Sequence, residues 1–456
     1  MAFVSARAIS SRLRVRALSY LLVLLPLITG GCGGGNSTVT TITGGDGGGG
    51  VLGPTVSLDT PTGPNTTEIV VDSGPASGFS LGVANIPYVT VTVCSPGSAT
   101  DCVTVDHVFL DTGSVGFRVL KSAVASLSTP SVVVPADAPS ATPSGAAVEC
   151  FPFVLGAVWG PIVTADLRIE GEKAQSLPIQ LIDDGVSPGY TPPANCVSSS
   201  NGGLLNSVSA LQANGVLGVG MIKYDCGLSC STGDYSSGYT LYYSCPSAPS
   251  GCVPAAVPAA LQMQNPVAFF PVDNNGTIIS LPAVPEYGAA VAKGRLVFGI
   301  GTQTNNQIPV AAKMYLVDPN PKSPTYLYVS TSIGSKTWAS SYVDSGSNAL
   351  FFDDSSIKTG CSSSAGSTGG WYCPVSPLSL TATLTDSMGT TGQVGLSLVS
   401  ADTLFLAPNT AFADLAGTVG QGSDVFVWGL PLFYGRSVVT SIWGQALSPN
   451  GPWVAF

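Results

Sequence analysis

Histidine is nearly absent from this chain: 456 residues contain one, His107. That excludes a His-rich zinc site and an H-E-x-x-H helix, which needs two. It leaves a Ser-His-Asp or Cys-His device with His107 as its one base. Charge is scarce too, at 9% of residues, and basic charge scarcest, with 16 Lys and Arg against 26 Asp and Glu. A pI near 4.4 argues against nucleic acid as a partner, because phosphate contacts need clustered cations. Heptads, long helical periodicity and repeats of roughly 20–50 residues are missing. Low charge here is not disorder, because 45% of the chain is apolar and a large core is attainable. The length fits two domains or one large all-β unit.

The first residues read as an address. Arg7, Arg12, Arg14 and Arg16 precede an apolar run, Leu18 to Ile28, too short for a membrane-spanning helix. Leu27-Ile28-Thr29-Gly30-Gly31-Cys32 resembles a bacterial lipoprotein cleavage site, with Thr29 where Leu is usual. The resemblance implies a signal peptide over 1–31 and lipidation of Cys32; an ordinary secretory signal cut nearby is the alternative. Either reading makes the chain exported. Gly33 follows Cys32 where an Asp would imply inner-membrane retention, so the resemblance implies an outer-membrane lipoprotein of the cell envelope. Residues 32–66 are expected to form a Gly/Thr-rich tether, centred on Gly44 to Gly50.

Beyond Cys32 there are ten cysteines, and an even number in an exported chain reads as disulfides. Cys94/Cys102 and Cys361/Cys373 are the expected pairs, each closing a short loop between strand-like segments. Cys226, Cys230, Cys245 and Cys252 crowd one Tyr/Ser/Gly-rich insertion. A four-cysteine metal site there is the rival, without a C-x-x-C pair or a His to support it.

Apolar and β-branched segments bounded by Gly, Pro, Asn and Asp predict strands at Tyr88–Val93, Val103–Leu110, Leu296–Gly299, Tyr326–Val329 and Leu378–Leu384. Short helices are expected at Asn206–Asn214 and Ser355–Lys358.

One two-fold echo carries the functional reading. Val108-Phe109-Leu110-Asp111-Thr112-Gly113-Ser114 is matched by Ser341-Tyr342-Val343-Asp344-Ser345-Gly346-Ser347. Each puts an Asp at the end of an apolar strand, followed by hydroxyl, Gly, hydroxyl. The Gly permits a tight turn whose amides face the carboxylate. Thr112 and Ser345 could brace the opposite turn, and Ser114 and Ser347 could orient the carboxylates. Two such turns meeting across an axis would hold two carboxyls around one water, sharing a proton. One then acts as base and its neighbour as acid. A pair of unrelated polar surface turns is the alternative; a near miss, Asp72-Ser73-Gly74-Pro75, lacks the last hydroxyl.

With both turns in place, the sequence resembles the pepsin-like aspartic peptidases. Asn214 to Gly220 and Val425 to Tyr434 resemble the stretches that thread beneath each Asp turn in that family, and Ser437 to Gly444 its closing strands. Gly294 to Gly301 resembles the end of its first lobe, and Cys361/Cys373 a family disulfide. The resemblance spans Thr67 to Phe456, and extends to a bacterial family of lipoproteins with no assigned activity. It implies an all-β, two-lobed, pepsin-like acid protease barrel fold with pseudo-two-fold symmetry. Residues 67–312 would form the N-terminal lobe with the first Asp turn and the flap, and 313–456 the C-terminal lobe.

The sequence departs from the family at the flap, a hairpin that carries a Tyr. Cys150 to Gly160 is the comparable stretch; Phe153 falls at the Tyr position, and Arg118 where a partnering Trp is usual. Trp159 is either a bulky lid or, like Phe153, an ordinary packing aromatic. His107 shares the strand parity of Asp111, which fits a proton carrier or, more simply, a core or edge histidine. Asp353-Asp354 reads as a solvated turn. Ser355 to Lys358 is an S-x-x-K without its companion motifs, hence a capped turn rather than a nucleophile.

The expectation is an aspartic endopeptidase with Asp111 and Asp344 as catalytic residues, Thr112, Gly113, Ser114, Ser345, Gly346 and Ser347 in support, and Phe153 and Trp159 on the flap. It requires no metal and no cofactor. Its partners would be a peptide or protein substrate or ligand and a membrane reached through lipid, and it would act as a monomer. A binding protein on the same fold is the second reading. A β sandwich whose Asp turns never meet is the third.

Overall fold

The computed structural model describes residues 53–456 except 60–61, 76–83, 137, 139–143, 199–202, 234–239, 362–369, 421 and 449–450. The expected signal peptide, Cys32 and most of the tether lie outside the described residues. Part of the expected tether is ordered. Thr55–Ser57 is a strand paired in parallel with Val291–Lys293, and the Leu58 amide continues the ladder to the Lys293 carbonyl.

The chain is all-β, as its alternating Val/Ile/Thr-rich segments require. Its strands form a 17-stranded and a 7-stranded sheet. The described α-helices are four or five residues long.

The same local topology occurs twice. In the first half, strand Cys102–Asp111 runs into the Asp turn and Val115–Leu120 leaves it. Gly215–Val219 threads between them, parallel to the first (Gly218↔Asp111) and antiparallel to the second (Val216↔Arg118). In the second half, Lys336–Val343 runs into the turn and Leu350–Phe351 leaves it. Val425–Trp428 threads between, parallel to the first (Val343↔Trp428) and antiparallel to the second (Phe351↔Val427). Two equal motifs, one in each half, give the fold a two-lobed, pseudo-two-fold architecture. The closing strand Arg436–Ser441 pairs with Gly276–Leu281 of the larger sheet, so the last segment ties the halves together.

Glycine makes the threading feasible. A Cβ on Gly218 would lie 2.7 Å from the Val115 backbone, and one on Gly429 would lie 2.2 Å from the Ala349 carbonyl. The core is continuous across the halves. It includes Leu110, Phe117 and Leu217 of the first and Trp338, Phe352, Phe426 and Trp428 of the second. Phe352 and Phe426 stack with centroids 4.8 Å apart, and the Trp428 indole donates to the Thr331 hydroxyl at 2.9 Å.

All ten described cysteines are paired: Cys94–Cys102, Cys150–Cys196, Cys226–Cys230, Cys245–Cys252 and Cys361–Cys373. Five disulfides mark a chain that folds in an oxidising, exported environment. No helix among the described residues is long and apolar enough to cross a membrane.

Three local expectations fail. Asp353, expected in a solvated turn, is buried and accepts from the Val419, Gly420 and Ser423 amides. The strand expected at Tyr326 begins at Val329 instead, because Leu327 is left-handed (φ 65°) in a turn closed by the Tyr328 amide on Thr325. Ser355–Lys358 is a turn and not a helical one. Asp354 Oδ1 accepts from both the Ser356 amide and its hydroxyl, which favours a turn over a helix start. The helix expected within Asn206–Asn214 is Val208–Leu211, capped by the Ser207 hydroxyl on the Ala210 amide.

Candidate active site

Each Asp turn is built locally. The Gly113 amide donates to Asp111 Oδ1 at 2.8 Å and the Ser114 hydroxyl to Oδ2 at 2.5 Å. The second turn repeats this. The Gly346 amide donates to Asp344 Oδ1 at 2.8 Å and the Ser347 hydroxyl to Oδ2 at 2.6 Å. Each carboxyl is thus held in one orientation by its own turn.

The turns are then locked to each other. The Thr112 amide donates to the Ser345 hydroxyl at 3.0 Å, and the Ser345 amide to the Thr112 hydroxyl at 2.9 Å. The Ser345 hydroxyl donates to the Leu110 carbonyl at 2.9 Å. Residues 233 apart in sequence are joined by this reciprocal pair. The sandwich with separated Asp turns is thereby excluded.

Each glycine faces the opposite carboxyl. A Cβ on Gly113 would lie 2.7 Å from Asp344 Oδ1, and one on Gly346 would lie 2.5 Å from Asp111 Oδ1. The two carboxyls adjoin, since the same Gly346 Cβ position lies 3.0 Å from Asp344 Oδ1, and both are 0% exposed. Burial raises both above the ordinary carboxylate range. Asp344 rises well above it, because the Asp111 charge adds to its burial. Asp111 rises against the Ser114 hydroxyl, Asp344, the Gly113 amide and the Arg118 charge, all of which favour its ionised form. Two buried carboxyls in one site share a proton and titrate as a unit. One acid and one base side by side can deprotonate a water and protonate a leaving group.

The remaining residues singled out in the sequence are placed as follows. Cys150 to Gly160 is a hairpin, Gly145–Phe153 paired with Gly156–Ile169. Phe153 is buried edge-on to Phe151, with centroids 5.0 Å apart. Trp159 packs away from Phe153, in a separate cluster with Cys150, Cys196 and Tyr243, and its indole donates to the Tyr190 carbonyl at 2.6 Å. A cavity of about 420 Å³ beside it is lined by Asp183, Tyr190, Leu204, Asn206 and Pro249, and by neither Asp111 nor Asp344. His107 sits left-handed (φ 46°) at a bulge, with its nitrogens toward Asp72 and Asp106 and its ring edge-on to Tyr88. Its parity with Asp111 is therefore interrupted. Cys361, Cys373 and Asp402 come together, but the cysteines are disulfide-bonded and offer no thiolate to a metal.

Sequence reasoning noted Arg118 only as a replaced aromatic. The structure shows it wholly buried and forked onto Glu149 of the hairpin. The signal was available: an arginine inside the apolar run Val115-Gly116-Phe117-Arg118-Val119-Leu120 needs a buried partner.

The chain was compared with known proteins. A search of curated proteins returned no match. Among solved structures, the aspartic proteinase from Irpex lacteus aligns with 12% sequence identity and a TM-score of 0.41, over 86% of this chain and 96% of that one. Residues 61–456 match the family described as "Protein of unknown function (DUF3443)", and the chain belongs to that family.

Proposed function

We propose that this protein is an aspartic endopeptidase of the bacterial envelope. Asp111, ionised, is the base that activates a water for attack on a peptide carbonyl. Asp344, protonated, supplies the acid. Thr112 and Ser345 hold the turns together, while Ser114, Ser347 and the amides of Gly113 and Gly346 orient the carboxyls. The substrate is an extended peptide lying between the halves, its backbone added along the edge of the Phe153 hairpin. No metal or cofactor takes part. The single observation that supports this reading is the pair of buried, adjoining carboxyls held by interlocked turns. Its test is cleavage of an unstructured peptide library between about pH 3 and 7, with Asp111→Asn and Asp344→Asn in parallel. Products lost in both variants support it; a folded wild type that cuts nothing overturns it.

The second reading is a peptide-binding protein with little catalysis. The hairpin tip carries Phe153, without a hydroxyl. Retention of library peptides, uncut, by wild type and both variants alike would favour it.

We place the protein, as a monomer, on the outer membrane through lipid on Cys32. Cys32→Ala is expected to move it from the membrane fraction to the soluble one. A membrane-bound variant would rule this out.

A further inference from the structure

The strand that leaves the Asp111 turn carries a charge in an apolar setting. Val115–Leu120 is buried throughout, and Arg118 in it is 0% exposed. Its Nη1 donates at 2.8 Å to the carbonyl of Val115, the residue after Ser114. Nε and Nη2 donate to the two Glu149 oxygens at 3.1 and 2.7 Å, and the guanidinium lies 3.9 Å from the Phe151 ring centre. Glu149 and Phe151 belong to the hairpin strand Gly145–Phe153. One side chain therefore joins the end of the Asp111 turn to the hairpin.

A second carboxyl stands behind the pair. Asp225 is 5% exposed, and its Oδ1 accepts from the Tyr242 hydroxyl at 2.7 Å, which itself accepts from the Met263 amide at 2.8 Å. Arg118 Nη2 is 3.5 Å from Asp225 Oδ2, but no donor reaches Oδ2 in hydrogen-bonding geometry. The same Nη2 is bonded to Glu149 Oε1 at 2.7 Å, so both carboxyls face one guanidinium nitrogen. One guanidinium does not neutralise two buried carboxylates. Two carboxyls that close hold together when one carries a proton.

We infer that Arg118 is a positioning residue: paired with ionised Glu149 and backed by protonated Asp225, it fixes the hairpin against the strand leaving Asp111. The titratable groups of the cluster are Arg118, Glu149, Asp225 and Tyr242, with Asp111 the next charge along. Burial, then Glu149, holds the Asp225 carboxyl well above the usual range, in keeping with this assignment. The catalytic part of the inference rests on the peptidase reading; the proton and the hairpin do not.

The experiment compares full-length wild type with Glu149→Gln, Asp225→Asn and Arg118→Lys. Asn mimics a protonated Asp, so Asp225→Asn is expected to leave amide exchange over Gly145–Ile169 unchanged. Glu149→Gln removes the hairpin's charge and leaves the arginine to Asp225, and Arg118→Lys loses the fork; each is expected to raise that exchange about tenfold or more. Equal acceleration in Asp225→Asn, or none in Glu149→Gln and Arg118→Lys, overturns the inference. If Glu149→Gln does not fold, infrared difference spectra decide. A protonated-carboxyl band at neutral pH, present in wild type and lost in Asp225→Asn, supports the assignment; an unchanged spectrum overturns it. In peptide cleavage, Glu149→Gln combined with Asp225→Asn leaves Arg118 uncompensated near Asp111. The acid limb of kcat/KM is then expected about half a pH unit or more lower, with no shift in Asp225→Asn alone. An unmoved limb in the double variant removes the catalytic part. A wild type that cuts nothing removes the peptidase reading, while exchange and infrared still decide the cluster.

Discussion

At residue scale, Asp111 and Asp344 have similar near surroundings and differ in what lies beyond. Each receives a glycine amide and a serine hydroxyl from its own turn. The difference is the wider charge: Arg118 favours ionised Asp111, whereas Asp344 has Asp111 as its charged neighbour. Replacing either Asp by Asn leaves an acid without a base or a base without an acid. Each variant is expected to cut peptides at least about a hundredfold more slowly than wild type, measured as kcat/KM. Gly346→Ala should act as severely without removing a titratable group, because its Cβ would fall 2.5 Å from Asp111 Oδ1. All three changes should leave the disulfide-bonded fold detectable by circular dichroism.

At element scale, the threaded strands determine whether the turns can meet. Gly215–Val219 lies between the strands that enter and leave the Asp111 turn, with room for no side chain at Gly218. Gly218→Ala is expected to destabilise the protein by about 1–3 kcal/mol in chemical denaturation, since the Val115 backbone must move. Gly395 in strand Thr391–Leu398 is the control. Nothing lies within 4 Å of its Cβ position, so Gly395→Ala should be neutral or slightly stabilising. The reciprocal Thr112–Ser345 bonds belong to this scale as well. Thr112→Val leaves the buried Ser345 amide without its acceptor and should cost about 1–3 kcal/mol in the same assay.

Much of this was legible along the chain. The two D-[ST]-G-S turns, the apolar strands entering them and the Gly-containing threads at Asn214 and Val425 are local patterns with local causes. The Cys94–Cys102 and Cys361–Cys373 pairs were legible because each closes a short loop. The start of Val329–Ile333 was not, because a left-handed Leu327 has no side-chain signature. Nor was the role of Arg118, whose partners Glu149 and Asp225 lie 31 and more residues away.

At the scale of the whole molecule, acidity recurs as paired carboxyls. Glu172 adjoins Asp273, which accepts from Thr302, Gln303 and Asn306. Burial, then Asp273, pushes Glu172 from its ordinary 4.5 up to about 7. Burial also raises Asp414 to about 6. Between the ordinary and the raised values, the folded state keeps protons that the unfolded chain has released. Stability therefore falls as pH rises from about 4.5 to 7, and these groups favour the fold most on the acid side. The thermal midpoint of wild type should be higher near pH 5 than near pH 7, and Glu172→Gln should shrink that difference. An unchanged difference in the variant would remove Glu172 as its cause.

The order of residues settles what is local: strands from alternation, turns from Asp, hydroxyl and Gly, and an exported, disulfide-bonded chain from its cysteines. Folding in three dimensions settles what is not. The Thr112 and Ser345 hydroxyls reach each other's backbone amides across 233 residues only because the threaded strands of both halves bury their apolar faces in one core. Once there, the carboxyls lose water and gain each other, and both effects change their proton affinity. That affinity is the property on which the proposed peptidase chemistry depends.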